Sequence, residues 1–223
     1  HLNYMTKLFL NGSSGKMGES IKKILEGNLD LKVLEEDLSA EHDCIIDFSR
    51  PESTIKLLES CKNKKLNLPM VIGTTGFSID QIDLIKEHSK KFPILLSFNL
   101  SDGIYNLKEG IKNILHDLQT PVNCIIEDMH HINKVDAPSG TAIDIKKYIE
   151  DLNNDFVSAI NITSKREGAF FGIHHVRFEG DQVNLSISHK ALSRNIFAQG
   201  AINAALSLID KEPGFYSLES IKN

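Results

Sequence analysis

The distribution of apolar and polar positions divides the chain into two halves of different character. In the first half, Lys7 to Asn11, Asp43 to Phe48, Pro69 to Ile72 and Ile94 to Phe98 are short apolar runs that read as buried strands. Amphipathic runs lie between them: one ending at Leu25, Pro51 to Lys64 with proline in its first turn, and Ile79 to Lys90. Strands that alternate with helices imply right-handed crossovers and a parallel sheet. The second half drops this alternation. Asp102 to Leu118 predicts a long helix with Ile104, Leu107, Ile111, Ile114, Leu115 and Leu118 on one face. Strand-like segments follow at Val122 to Ile126, Ile160 to Ser164, Gly172 to Phe178 and Val183 to Ser188, with helices at Thr141 to Leu152 and Phe197 to Leu208. Sequential strands of this kind suggest a mixed or antiparallel sheet with a helix on one face and a subunit partner on the other. The expected class is α/β, a Rossmann-type parallel-sheet domain over 5–101 completed by 194–223, followed by an α+β domain over 102–193.

Candidate chemistry sits at the ends of the predicted strands. Directly after the first comes Gly12-Ser13-Ser14-Gly15-Lys16-Met17-Gly18, opening the first helix. Strand, glycine turn and helix together make a pyrophosphate site, because the glycines admit close backbone approach and the helix N-terminus presents N–H donors. Serine at position 14 departs from the stricter dinucleotide fingerprint, and a ligand-free tight turn is the competing reading. Ligands of parallel sheets bind at the C-terminal strand ends, which adds Phe48-Ser49-Arg50, Gly73-Thr74-Thr75 and Ser97, Asn99 and Leu100 as candidate cofactor contacts. A ribose-binding acid is expected about 20 residues past the turn, where Glu35 and Glu36 stand. The stretch around them reads equally as a short surface connection, so NADH and NADPH both remain open.

Ile125 to Ala142 is the densest stretch: I-I-E-D-M-H-H-I-N-K-V-D-A-P-S-G-T-A. Ile125-Ile126 reads as the end of a buried strand, with His130, His131 and Lys134 in the loop beyond it. Ser139-Gly140-Thr141 then opens a helix whose free N–H groups suit a carboxylate or phosphate. An acidic ligand held by the helix N-terminus and Lys134, with a histidine as proton donor, is the reading of these residues. Adjacent histidines point to opposite faces of a strand and lack further ligands at a usual spacing, so no metal is expected.

Composition narrows the class of ligand. A net charge of −5 over 223 residues offers no broad basic surface for nucleic acid or anionic membrane, so an anionic substrate must be attracted by locally placed cations. Cys44, Cys61 and Cys124 are widely spaced in apolar or helical contexts and read as reduced thiols of a cytoplasmic protein. His1 to Tyr4 precede Met5, where M-T-K-L-F reads as a native start, and they are set aside from the fold argument.

The run His-His-Ile-Asn-Lys-Val-Asp-Ala-Pro-Ser-Gly-Thr-Ala resembles the signature of the dihydrodipicolinate reductase family, H-H-x-x-K-x-D-x-P-S-G-T-A. G-x-x-G-x-M-G, D-F-S-R-P-E, V-I-G-T-T-G-F, N-L-S-x-G, R-x-G, H-x-A-x-S-R and P-G-x-Y recur in the same order, so the resemblance spans nearly the whole chain. Leu100 stands where the family commonly has Phe, Asp102 and Tyr105 replace its usual Val and Asn, and the segments from Gly27 to Asp43 and within the second sheet are short. The resemblance implies NADH- or NADPH-dependent reduction of a cyclic imine dicarboxylate in lysine and diaminopimelate biosynthesis, by a homotetramer. It also implies His130 as the acid, Lys134 as the residue neutralising one carboxylate and developing charge, and His131, Ser139, Gly140, Thr141 and Arg194 as the hold on the other. Closure of one domain on the other would hinge near Ser101 to Gly103 and Ser193. Two alternatives stay open: another dehydrogenase of an acidic substrate, or a catalytically impaired nucleotide-binding homologue.

Overall fold

The computed structural model describes residues 5–34 and 36–222. Glu35, a candidate ribose ligand, and His1 to Tyr4 lie outside the described residues. The chain divides into two units, one running through Ser101 and resuming at Asn195, the other from Asp102 to Arg194.

In the first unit, β1 (Thr6–Asn11), β2 (Leu31–Val33), β3 (Cys44–Asp47), β4 (Met70–Ile72) and β5 (Pro93–Leu96) are joined through α1 (Lys16–Leu25), α2 (Pro51–Asn63) and α3 (Ile79–Ser89). Burial rather than alternation marks the central strands: all four residues of β3 and all three of β4 are buried, as expected where helices cover both faces of a parallel sheet. Leu57, Leu58, Cys61 and Ile85 of α2 and α3 form one core with Ile45, Met70, Ile72 and Ile94. Helix α3 is defined locally by a capping box, in which Ser78 accepts from the Gln81 N–H while the Gln81 side chain accepts from the Ser78 N–H. Helix α6 (Asn195–Leu208) buries Ala198, Gly200, Ala201, Ala204 and Ala205, small residues that let it lie close to its neighbours.

The unit is completed by β10 (Gly214–Tyr216) and α7 (Leu218–Lys222). β10 pairs parallel with β5, so the sheet reads β10-β5-β4-β3-β1-β2 and is parallel throughout. Its strand order reverses at β1 and β3, which makes their C-terminal ends the crevice of this sheet.

The second unit begins with α4 (Asp102–Asp117), followed by β6 (Val122–His130), α5 (Gly140–Asp151), β7 (Val157–Arg166), β8 (Ile173–Glu179) and β9 (Asn184–Lys190). The sheet order is β7-β6-β8-β9, with β6 and β7 parallel and the other pairs antiparallel, a mixed sheet. Ile104, Leu107, Ile111 and Leu115 of α4 and Ile145 and Ile149 of α5 pack on Cys124, Ile126, Val176 and Phe178.

One expectation is corrected here. β6 does not stop at Ile126 but continues through His130, with Asp128 and His130 buried on the same face as Cys124 and Ile126. Polar residues at inward positions hid these last residues from a reading based on hydrophobicity.

Candidate active site

The chemistry-bearing residues of the second unit are set by strand register. Asp128 and His130 are two apart on β6 and so share its buried face. Pairing places Asp128 opposite Ser164 on β7 and His174 on β8, His130 opposite Arg166, and His174 opposite His189. A row of polar side chains therefore crosses all four strands inside an otherwise apolar face.

Asp128 is its hub. The carboxylate is fully buried, and Oδ2 accepts from the Ser139 N–H at 2.8 Å, from Arg166 Nη2 at 2.9 Å and from Ser164 Oγ at 3.2 Å. Oδ1 faces His130 Nδ1 at 2.9 Å and His174 Nε2 at 3.5 Å. Burial by itself would raise this carboxyl, but hydrogen bonds from His130, Ser139 and Arg166 outweigh it and hold the group well below the usual carboxylate range. His174 goes the other way: burial first, then the neighbouring His130 charge, pushes it down to about 3, so it is neutral. The two rings meet edge to face with centroids 5.3 Å apart. Asp128, His130 and His174 present potential metal-ligand atoms within 4.8 Å of one another. Arg166 already supplies positive charge to that carboxylate, which makes the trio a poor cation site.

Beyond His130 the chain turns, and Lys134 Nζ meets Asp136 at 2.7 Å. Burial opposes ionisation of Asp136, but Lys134 and backbone donors hold its carboxyl below the ordinary value. Ser139 caps α5 by accepting from the Ala142 N–H, and no acidic residue occupies the first turn. His130, Lys134 and the Ser139–Thr141 helix start are thus all within one unit, anchored through Asp128. Arg194 belongs to the same unit and lies over the Phe171 ring at 5.0 Å.

In the first unit the expected glycine turn joins β1 to α1. Gly12 has φ +83°, and a Cβ there would lie 2.2 Å from the Phe48 carbonyl oxygen, so only glycine fits. Gly15 caps α1 with no side-chain hydrogen bond, which leaves the first-turn N–H groups to an anion. Beside the turn is a cavity of about 470 Å³ lined by Asn11, Gly12, Ser13, Val33, Leu34, Glu36 and Asp37, among others. Its lining contains acids but neither Lys nor Arg.

Several expected cofactor contacts have their side chains committed elsewhere. The buried Asp47 carboxylate accepts from Asn11 Nδ2 at 2.8 Å, Ser49 Oγ at 2.5 Å, Thr74 Oγ1 at 3.0 Å and the Thr54 hydroxyl. Ser97 Oγ donates to the Asn99 carbonyl. Leu100 is 2% exposed, so its side chain points into the core rather than toward a ligand. The Ser49 N–H is likewise taken by Thr74 Oγ1 and the Gly73 N–H by the Asp47 carbonyl, each at 2.9 Å. Arg50 and Thr75, by contrast, are exposed at the ends of β3 and β4.

Sequence reasoning missed Asp47, Asp128, Arg166 and His174 as parts of the candidate sites. A signal existed for two of them. Asp128 precedes His130 by a strand repeat, and His174 alternates with Val176 and Phe178, a pattern that points it inward. His174 is buried against the candidate acid.

Known proteins match this chain along nearly its whole length. The family model described as dihydrodipicolinate reductase, C-terminus, matches residues 103–221, and that for the N-terminus matches residues 30–100. A curated 4-hydroxy-tetrahydrodipicolinate reductase of Alkaliphilus oremlandii (strain OhILAs) is 34% identical, covering 97% of this chain and 98% of its own. Another, from Rickettsia bellii (strain OSU 85-389), is 37% identical with 94% and 91% covered. A dipicolinate-bound dihydrodipicolinate reductase from Paenisporosarcina sp. TG-14 superposes with a TM-score of 0.74 at 20% identity, over 97% of this chain and 99% of that one, so the fold is shared. With both halves matched and relatives above 30% identity along nearly the full length, the chain belongs to the dihydrodipicolinate reductase family.

Proposed function

We propose that this chain is an NAD(P)H-dependent 4-hydroxy-tetrahydrodipicolinate reductase acting in diaminopimelate and lysine biosynthesis. One observation carries the reading: a buried histidine against a carboxylate, a lysine four residues on and a helix N-terminus with no acidic residue in its first turn are built into one unit of a reductase-family chain. These are the parts needed to bind a dicarboxylate and deliver a proton to it. In the overall reaction 4-hydroxy-tetrahydrodipicolinate, NAD(P)H and a proton give tetrahydrodipicolinate, NAD(P)+ and water.

The Gly12 backbone conformation, the start of α1 without a side-chain cap and the adjoining cavity support a nicotinamide dinucleotide in the first unit. The bound dinucleotide would supply the hydride. Residues Gly12 to Gly18 would hold its pyrophosphate, while Arg50, Thr75 and the backbone at Ser49, Gly73 and Thr74 would line its path. In the second unit, the Gly140 and Thr141 N–H groups with His131 and Arg194 hold one substrate carboxylate. Lys134 exchanges its Asp136 partner for the other, and His130 protonates the ring carbon left electron-rich by reduction. Lys134 also offsets negative charge that develops in the transition state.

Glu36 and Asp37 line the cavity where an adenosine ribose belongs, which favours its 2′-hydroxyl over a 2′-phosphate. We therefore expect NADH to be preferred by about tenfold or more in kcat/KM. The enzyme is proposed to be cytoplasmic and to assemble as a homotetramer through the outward face of the β7-β6-β8-β9 sheet. The described residues include no helix long and apolar enough to cross a membrane.

The test follows loss of nicotinamide absorbance with NADH and with NADPH, using substrate generated in place by the preceding synthase. His130→Ala and Lys134→Ala are expected to bind nucleotide normally and lose turnover. Nucleotide binding without turnover in the parent protein would instead favour the impaired homologue.

A further inference from the structure

Asp128 holds together more of the second unit than any structural need of one strand explains. Its Oδ2 is filled by three donors from two other elements, the Ser139 N–H at the start of α5 and the Ser164 hydroxyl and Arg166 guanidinium of β7. Its Oδ1 is left to the histidines. Oδ1 and His130 Nδ1 are both buried, neither has a hydrogen-bond partner elsewhere, and they lie 2.9 Å apart, so a small rotation of the ring completes a bond between them. The far side of the imidazole is cleared by Gly172: a Cβ at that position would lie 3.0 Å from His130 Nε2, and its φ of +152° also favours glycine.

We propose that Asp128 is the positioning residue for His130, its Oδ1 accepting the Nδ1 proton so that Nε2 is the atom that delivers a proton to substrate. The inference rests on the reading of His130 as the acid. During the reaction the Nε2–H bond breaks as the new C–H bond forms, and His130 passes from imidazolium to the neutral Nδ1–H tautomer. Asp128 stays ionised throughout, fixed by Arg166 and the Ser139 N–H. His174 faces the same Oδ1 and packs edge to face on the His130 ring, so the ring is restrained from two sides.

The decisive substitution is Asp128→Asn, because its outcome follows from which oxygen is already occupied. Three donors point at Oδ2, so the amide oxygen must take that place and the NH2 must face the histidines. A donor there drives the proton off Nδ1 and onto Nε2, the wrong tautomer for an imidazolium that must form and discharge. We expect kcat to fall about 100-fold or more, with the KM for nucleotide and the substrate KM little changed. A merely structural Asp128 would act through the α5 N-terminus, raising substrate KM at constant kcat, and that result overturns the proposal. So does a folded variant with kcat within about threefold of the parent.

Nitrogen-15 NMR of the unsubstituted protein gives an answer even if the variant does not fold. Neutral His130 with its proton on Nδ1 supports the proposal, and a proton on Nε2 refutes it. His130→Ala separates the two levels: retained turnover there defeats the acid assignment itself. Lost turnover there with full activity in Asp128→Asn defeats only the positioning role.

Discussion

Replacing Asp47 by Asn tests how far the crevice of the parallel sheet depends on one buried charge. The substitution keeps the side-chain volume, so no cavity term enters. It changes four hydrogen bonds, from Asn11 and Ser49 on one oxygen and from Thr54 and Thr74 on the other. The amide can accept on one side only. Turning its NH2 toward the two threonines is the cheaper arrangement, since hydroxyls can rotate to accept while the Asn11 amide and Ser49 keep an acceptor.

Bonds to a charged group contribute about 1.5–3 kcal/mol against about 0.5–1.5 kcal/mol for neutral ones, so four weakened bonds lose about 4–6 kcal/mol. The lower desolvation cost of a neutral amide offsets part of that, leaving about 2–3 kcal/mol. Because two units unfold in this chain, the loss is best read locally, by hydrogen exchange at amides of β1, β3 and β4. Exchange there should be about 30 to 150 times faster than in the parent, with the β6 amides little affected. NADH should also bind more weakly, because Ser49 and Thr74 set the backbone at two strand ends. Exchange within about threefold of the parent would refute the reasoning, and would mean that the hydroxyls re-pair without loss.

Three further outcomes are expected. Gly12→Ala forces a Cβ to within 2.2 Å of the Phe48 carbonyl at φ +83°, so fluorescence titration should show NADH affinity reduced by about tenfold or more while the second unit keeps its thermal transition. Ser139→Ala removes the α5 cap, costing about 1 kcal/mol in denaturation of the second unit, and should raise substrate KM more than it lowers kcat. The last concerns acid. His174 is pushed down to about 3 from an ordinary 6.5, so between those values the unfolded chain takes up a proton that the folded one does not. Stability is therefore intact above pH 6.5 and falls as pH drops toward 3. Asp128, also depressed, adds to the loss below its ordinary 3.8. His174→Gln should flatten the slope between pH 4 and 6.5 by up to about 1.4 kcal/mol per pH unit, measured by denaturant unfolding of the second unit.

Much of this protein is determined by local rules acting on the sequence. Alternating apolar runs and amphipathic stretches specify the parallel sheet and its helices, because burial on two faces and on one leaves different periodicities. The glycine turn after β1 is legible for a similar reason: few residues besides glycine tolerate its backbone, so the chemistry is written in the residue type. His130, Lys134 and Ser139–Thr141 could be found because they are neighbours in sequence, on one strand end, one loop and one helix start.

What only the tertiary structure decided are the partners that come from far along the chain. The Asp47 carboxylate gathers Asn11 and Thr74 from other strand ends, and Asp128 gathers Arg166 and His174 through the register of three strands. A buried carboxylate looks polar in the sequence and so argues against the very strand it occupies. Its place becomes intelligible only when strand pairing brings donors close enough to outweigh its desolvation.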